Sequence, residues 1–119
     1  MLKLIKATFL GLIAMAFTAT SYADITFVSW GGAYTASQQK AYVDTYVSLN
    51  PDAKITVESY NGGLGEIKAQ VEAGNVTWDV VDVLPDQAIT GCDEGLFAKV
   101  DQSEFINDMV VPPVSECVV

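Results

Sequence analysis

One short segment, Asp24 to Tyr34, constrains the fold of this chain more than any other. Ile25 to Ser29 carries β-branched and aromatic residues and reads as a strand. The strand stops at Trp30-Gly31-Gly32, where two glycines let the backbone turn sharply or come close to a ligand. Thr35-Ala36-Ser37-Gln38 then opens a helix, with Thr35 as its cap and Gln38 as the return partner of a capping box. The chain therefore runs strand, glycine turn, helix. Trp30 and Tyr34 flank the glycines and can wall a binding site at the strand's carboxyl end.

The same device returns further along. After a helix expected over 37–49, Lys54 to Glu58 alternates as a second strand, and Ser59-Tyr60-Asn61-Gly62-Gly63 again sets an aromatic before two glycines and a helix, here over 64–73. Tyr42, Tyr46 and Leu49, with Val43 and Val47 beside them, form an apolar stripe expected to pack in the core. Trp78 to Leu84 is a third strand. Its continuous apolar run predicts burial on both faces, as in a parallel sheet. Pro85-Asp86 ends it before a short helix over 87–94.

The order βαβαβα predicts an α/β fold: one parallel sheet with helices on both faces, joined by right-handed crossovers. Ligands in such sheets bind outside the carboxyl ends of the strands. Trp30, Gly31, Gly32, Tyr34, Tyr60 and Asp86 fall on that rim, and Gly62 and Gly63 shape its second loop. Asp82 lies among valines, where a buried carboxylate has to be paired or hydrogen-bonded, and it reads either as a direct ligand contact or as an acceptor for nearby loop N–H groups. Asp86 has two readings, a partner for a cationic ligand or the N-cap of the following helix. Trp30 and Tyr34 read either as faces for a cation or as cover for the sheet edge.

Residues 1–23 stand apart. Lys3 and Lys6 precede an apolar run from Ala7 to about Ala19, and Ser21 and Ala23 supply a small-residue cleavage site. This is the plan of a secretory signal peptide cleaved after Ala23. Without Lys3 and Lys6, four lysines face fifteen acids, a net charge of −11, with no His or Arg. Nucleic acid binding needs a basic face and is excluded on that count. The missing His removes Ser-His and Cys-His nucleophiles and the commonest zinc ligand, and no metal or cofactor is called for. Cys92 and Cys117, the only cysteines, are expected to form a disulfide in an oxidising compartment.

Four stretches together carry a resemblance: Phe27 to Tyr34, Ser59 to Gly63, Gly74 to Val83, and Gly91 to Leu96. In order and spacing they resemble the spermidine/putrescine-type periplasmic solute-binding proteins of ABC transporters. The resemblance implies a type II, two-lobed binding protein, monomeric, that captures a polyamine in the periplasm and delivers it to a permease in the inner membrane. Members of that family are much longer, so residues 24–119 are expected to form the N-terminal part of a first lobe, without the second. Within the binding-protein class a tension remains. Glycine loops that lead into helix N-termini favour anions, while the acidic rim favours cations. A zwitterion such as an amino acid or 4-aminobutyrate suits both, and a sulfur oxyanion suits the loops alone. An exported nucleotide-dependent enzyme is the other class, but the chain lacks Gly-x-Gly-x-x-Gly and the phosphate-loop Gly-x-x-x-x-Gly-Lys.

Overall fold

A computed structural model of the chain describes residues 24–103, 106–108 and 110–119. The expected signal peptide, residues 1–23, lies outside the described residues. Strand β1 (Asp24–Ser29) runs parallel to β2 (Lys54–Ser59) in a register that pairs Asp24 with Lys54 and Ser29 with Ser59. β3 (Val80–Val81) joins β1 on its other side, Phe27 opposite Val80 and Val28 opposite Val81. The sheet order is β2-β1-β3, which places β1 in the centre.

Between β1 and β2 the chain is helical from Gly32 to Leu49, as α1 (Gly32–Gln38), a π-helical segment (Gln39–Val43) and α2 (Asp44–Leu49). α3 (Gly65–Glu72) connects β2 to β3, and α4 (Pro85–Asp93) follows β3. Alternation along β1 shows that helices cover both faces of the sheet. Val28, fully buried, clusters with Tyr60 and with Ile67 of α3 on one face. Ser29, its neighbour, points the other way and hydrogen-bonds Gln38 of α1. Burying a side chain such as Val28 contributes about 1.5–3 kcal/mol. Leu64, Trp78, Val81, Val83, Leu96 and Phe97 pack around this cluster.

Three expectations are corrected here. The first helix starts at Gly32, five residues earlier than expected, and Thr35 is not its cap. Gly31 has φ 85° and stands before the helix, so the turn is made by glycine geometry that the capping-box pattern does not capture. Thr35 is buried, and its Oγ1 accepts the Gly31 N–H at 2.7 Å.

The Tyr42-Tyr46-Leu49 stripe is exposed, and Val43 is the buried residue. A π turn takes in one extra residue, which rotates the helix beyond it by about 100° relative to a regular α-helix. The stripe read at α-helical spacing therefore does not meet the sheet.

β3 is two residues long, and Val80 is 48% exposed rather than buried on both faces. Within the described sheet β3 is an edge strand, so one of its sides has no neighbour. Its pairing to β1 nevertheless continues at both ends, through Asp79 N–H to Thr26 O (3.1 Å) and Asp82 N–H to Val28 O (2.9 Å).

The expected disulfide is present. Cys92 of α4 is bonded to Cys117 with Cα atoms 5.7 Å apart, tying the last described segment to α4. Gly91, next to it, is buried because the Phe97 ring lies directly over it: a Cβ there would sit 2.2 Å from Phe97 Cε2.

Candidate functional site

The carboxyl ends of β1, β2 and β3 bring Trp30, Tyr34, Tyr60 and Asp82 together. β1 delivers Trp30, and the glycine turn followed by one turn of α1 brings Tyr34 back beside it. The two rings stack with centroids 5.3 Å apart and planes inclined by 16°, within the offset-stacked range. Trp30 is 38% and Tyr34 47% exposed, so each keeps ring surface open to a ligand.

The chain leaving β3 supplies Asp82. Its backbone carbonyl accepts two side-chain donors, the Trp30 Nε1–H at 3.1 Å and the Tyr60 hydroxyl at 2.6 Å. Tyr60 Oη also lies 3.3 Å from Trp30 Nε1 and accepts from it. The polar atoms of Trp30 and Tyr60 are thus spent on the protein itself. The Trp30 ring remains available to a ligand. Tyr60, 7% exposed, belongs to the core cluster and meets Trp78 edge-on, 5.4 Å between centroids. Burial, more than any neighbour, pushes the Tyr60 phenol above its usual range. Tyr60 therefore acts as a strut under Trp30, not as an open wall.

The half-buried Asp82 carboxylate faces the rim. Its Oδ2 accepts from Gln38 Nε2 at 2.7 Å, and Gln38 Oε1 in turn accepts the hydroxyl of fully buried Ser29. Hydrogen bonding to this carboxylate is the main reason the Tyr34 phenol is raised above its ordinary value. Loss of hydration and the Asp82 charge add to it. The ion pairs among the described residues, Lys68–Glu94 and Lys99–Glu116, do not involve Asp82. Asp82 thus presents a negative charge held by neutral donors, beside two aromatic rings.

The remaining predicted residues are placed as follows. Gly31 and Gly32 make the turn with φ 85° and 60°, and a Cβ on Gly31 would only touch Ser59 Oγ at 3.4 Å, so the positive φ is what calls for glycine there. Gly62 approaches the Trp30 indole, where a Cβ would lie 4.0 Å from Nε1. Asp86 stands exposed in the first turn of α4. It is not the N-cap, which is Leu84. Gln87 Oε1 reaches back to the Leu84 N–H at 3.1 Å. Asp79 ties the start of the β3 segment to β1 through the Thr26 N–H at 2.8 Å.

Gln38 was not among the site residues expected from sequence. The available signal was its position four residues after Tyr34 and four before Tyr42, on one stripe of a helix. All three residues line a groove of about 680 Å³ along the outer side of β3, which Asp82 also lines and which Val80, Phe97 and Val118 make largely apolar.

The carboxyl-end loops of this parallel sheet gather aromatic faces and a carboxylate that has no ion-pair partner among the described residues, the elements of a candidate small-molecule site. Residues 41–115 match the family model described as bacterial extracellular solute-binding protein, and the chain belongs to that family. It is 36% identical over 113 residues to the gamma-aminobutyric acid-binding protein of Pseudomonas aeruginosa, covering 91% of this chain and 32% of that protein. Among solved structures it is similar to an ABC transporter substrate-binding protein from Bradyrhizobium japonicum USDA 110. That match has 38% identity and a TM-score of 0.67, over 76% of this chain and 28% of the other. It is also similar to the GABA receptor Atu4243, at 36% identity and a TM-score of 0.61, over 68% of this chain and 25% of the other. The chain spans about a third of the length of the curated relative it matches.

Proposed function

We propose that this chain is the N-terminal part of the first lobe of a periplasmic solute-binding protein, and that its ligand is a small ω-amino acid of the 4-aminobutyrate type. The observation that carries the reading is Asp82: a half-buried carboxylate with no lysine bonded to it among the described residues, set beside the stacked Trp30 and Tyr34. An ammonium group placed there gains a counter-charge and aromatic faces together, and a cation over an aromatic ring contributes about 0.5–2 kcal/mol.

The other end of the ligand separates the zwitterion from a polyamine. The glycine turns run into α1 and α3, whose first N–H groups have no partners within their helices. Such groups favour a carboxylate over a second ammonium. Two of the relatives named above are described by 4-aminobutyrate, which supports the zwitterion over the polyamine implied by the sequence resemblance.

In this reading residues 1–23 direct export to the periplasm and are removed. A second lobe closes over the ligand, and the closed protein docks on an inner-membrane ABC permease. The role is capture and delivery, with no chemical step. Calorimetric titration of the protein with both lobes tests it. Saturable binding of 4-aminobutyrate well below millimolar is expected, and no binding by folded protein would overturn the reading.

A further inference from the structure

We infer that Gln38 is a positioning residue of the ligand site, one that sets ligand affinity by holding the Asp82 carboxylate; the inference rests on the ω-amino acid reading above. A glutamine amide can present either its oxygen or its nitrogen to a neighbour. Here Asp82 removes that freedom: a carboxylate only accepts, so Nε2 faces it and donates to Oδ2 at 2.7 Å, while Oε1 accepts the hydroxyl of fully buried Ser29. The three residues come from the end of β1, the end of α1 and the position just after β3, so one relay joins a central strand to the rim. The π-helical segment begins at the next residue, Gln39. Segments of this kind often mark functional sites, and this one begins directly beyond the residue that must face Asp82.

The relay matters because of what the other groups around Asp82 do. Its backbone carbonyl is occupied by Trp30 and Tyr60, which fixes the main chain but leaves the carboxylate free to turn. Tyr34 is the other side chain that faces the carboxylate, and it is itself exposed. Gln38 is therefore the interior anchor that keeps one carboxylate oxygen bound, leaving the rest of the carboxylate to Tyr34 and an incoming ammonium group. Because it binds a charge through a neutral donor, it orients Asp82 without neutralising it. A lysine in its place would supply the counter-ion that the ligand is meant to bring.

The test is a double-mutant cycle in the protein with both lobes, titrated with 4-aminobutyrate. Gln38→Met keeps the length of the side chain and removes its polar atoms. It is expected to weaken binding about tenfold in the wild-type background and less than about twofold in an Asp82→Asn background. Ser29→Ala is a smaller change that keeps Gln38. It is expected to weaken binding a few-fold, again only while Asp82 is intact, and it gives an independent answer should Gln38→Met not fold. Ligand-free protein supplies a spectroscopic signature: the Gln38 side-chain amide proton resonances should move in both Ser29→Ala and Asp82→Ala. Equal losses in the two backgrounds, or amide resonances that ignore Ser29 and Asp82, would overturn the positioning role. Wild-type protein that is folded but does not bind 4-aminobutyrate would overturn the functional reading and this inference with it.

Discussion

Trp30 and Tyr34 stack on one another, 5.3 Å between ring centroids and 16° between planes. At that spacing no ligand group fits between them, so a ligand meets their outward surfaces as one composite wall. The wall depends on Trp30, whose Nε1–H is tied to the Asp82 carbonyl at 3.1 Å while Tyr34 stands 47% exposed. Trp30→Ala should remove one ring and unseat the other. In a two-lobed protein we expect about tenfold weaker binding of 4-aminobutyrate, near 1.4 kcal/mol, with the fold intact by circular dichroism. Unchanged affinity by calorimetry would remove Trp30 from the site.

The Tyr34 phenol supplies a probe of the same cluster. Its pKa is raised above the ordinary 10.0, first by hydrogen bonding to Asp82. A value raised on folding contributes stability that is fully present below the unfolded pKa and is lost as pH rises through the folded one. The loss is thus confined to alkaline solution above about pH 10. Asp82→Asn removes the charge and should let Tyr34 titrate earlier. Tyrosinate absorbance, with Tyr34→Phe to assign the transition, measures it, and an unmoved transition would place Asp82 away from the phenol.

Gly91 tests the packing that holds α4 to the chain beyond it. With Phe97 Cε2 2.2 Å from the position of a Cβ, Gly91→Ala should destabilise by about 1–3 kcal/mol through overpacking. Gly65 in α3 has nothing within 4 Å of its Cβ position. There alanine should be neutral or stabilising by less than about 1 kcal/mol. Thermal melts of the two variants should therefore differ in sign or clearly in size.

The Cys92–Cys117 bond closes a loop with a sequence separation of 25. Closure of such a loop is worth about 3–4 kcal/mol in the chain-entropy model. Reduction, or Cys92→Ser with Cys117→Ser, should lower the denaturant midpoint by a corresponding amount. An unchanged midpoint would show that the segment beyond α4 is held by packing alone.

Much of this structure was legible in the sequence, and the parts that were not share a cause. The strand–glycine–helix pattern at Trp30-Gly31-Gly32 and the βαβαβα order led to the parallel sheet, because turn chemistry and hydrophobic period are local properties. Thr35 and Gln38 misled because Ser/Thr-x-x-Gln is a frequent capping pattern. In this fold Thr35 binds back to Gly31, four residues earlier, and Gln38 is drawn to a partner set by the tertiary structure, Asp82, 44 residues away in sequence. No local pattern marks such a pair. Tyr60 was readable as a rim residue, but its burial under Trp30 was not, since that depends on how β2 sits beside β1.

In the function proposed above, residues 24–119 on their own would offer one side of a cleft. Small-molecule sites bury most of their ligand, whereas an exposed cation–aromatic contact contributes under about 1 kcal/mol and an exposed ion pair about 0–1 kcal/mol. We expect this segment alone to bind 4-aminobutyrate no better than about millimolar. Saturable micromolar binding in moderate salt would show that the first lobe suffices.

The most direct test of the account compares 4-aminobutyrate with putrescine in calorimetric titrations of the two-lobed protein at matched ionic strength. Both ligands carry an ammonium group on a four-carbon chain, and they differ in whether the far end is a carboxylate or a second ammonium. If Asp82 with Trp30 and Tyr34 takes the ammonium and the helix-start N–H groups take the carboxylate, 4-aminobutyrate should bind at least about tenfold tighter. Tighter binding of putrescine would contradict the zwitterion assignment and return the site to the polyamine class.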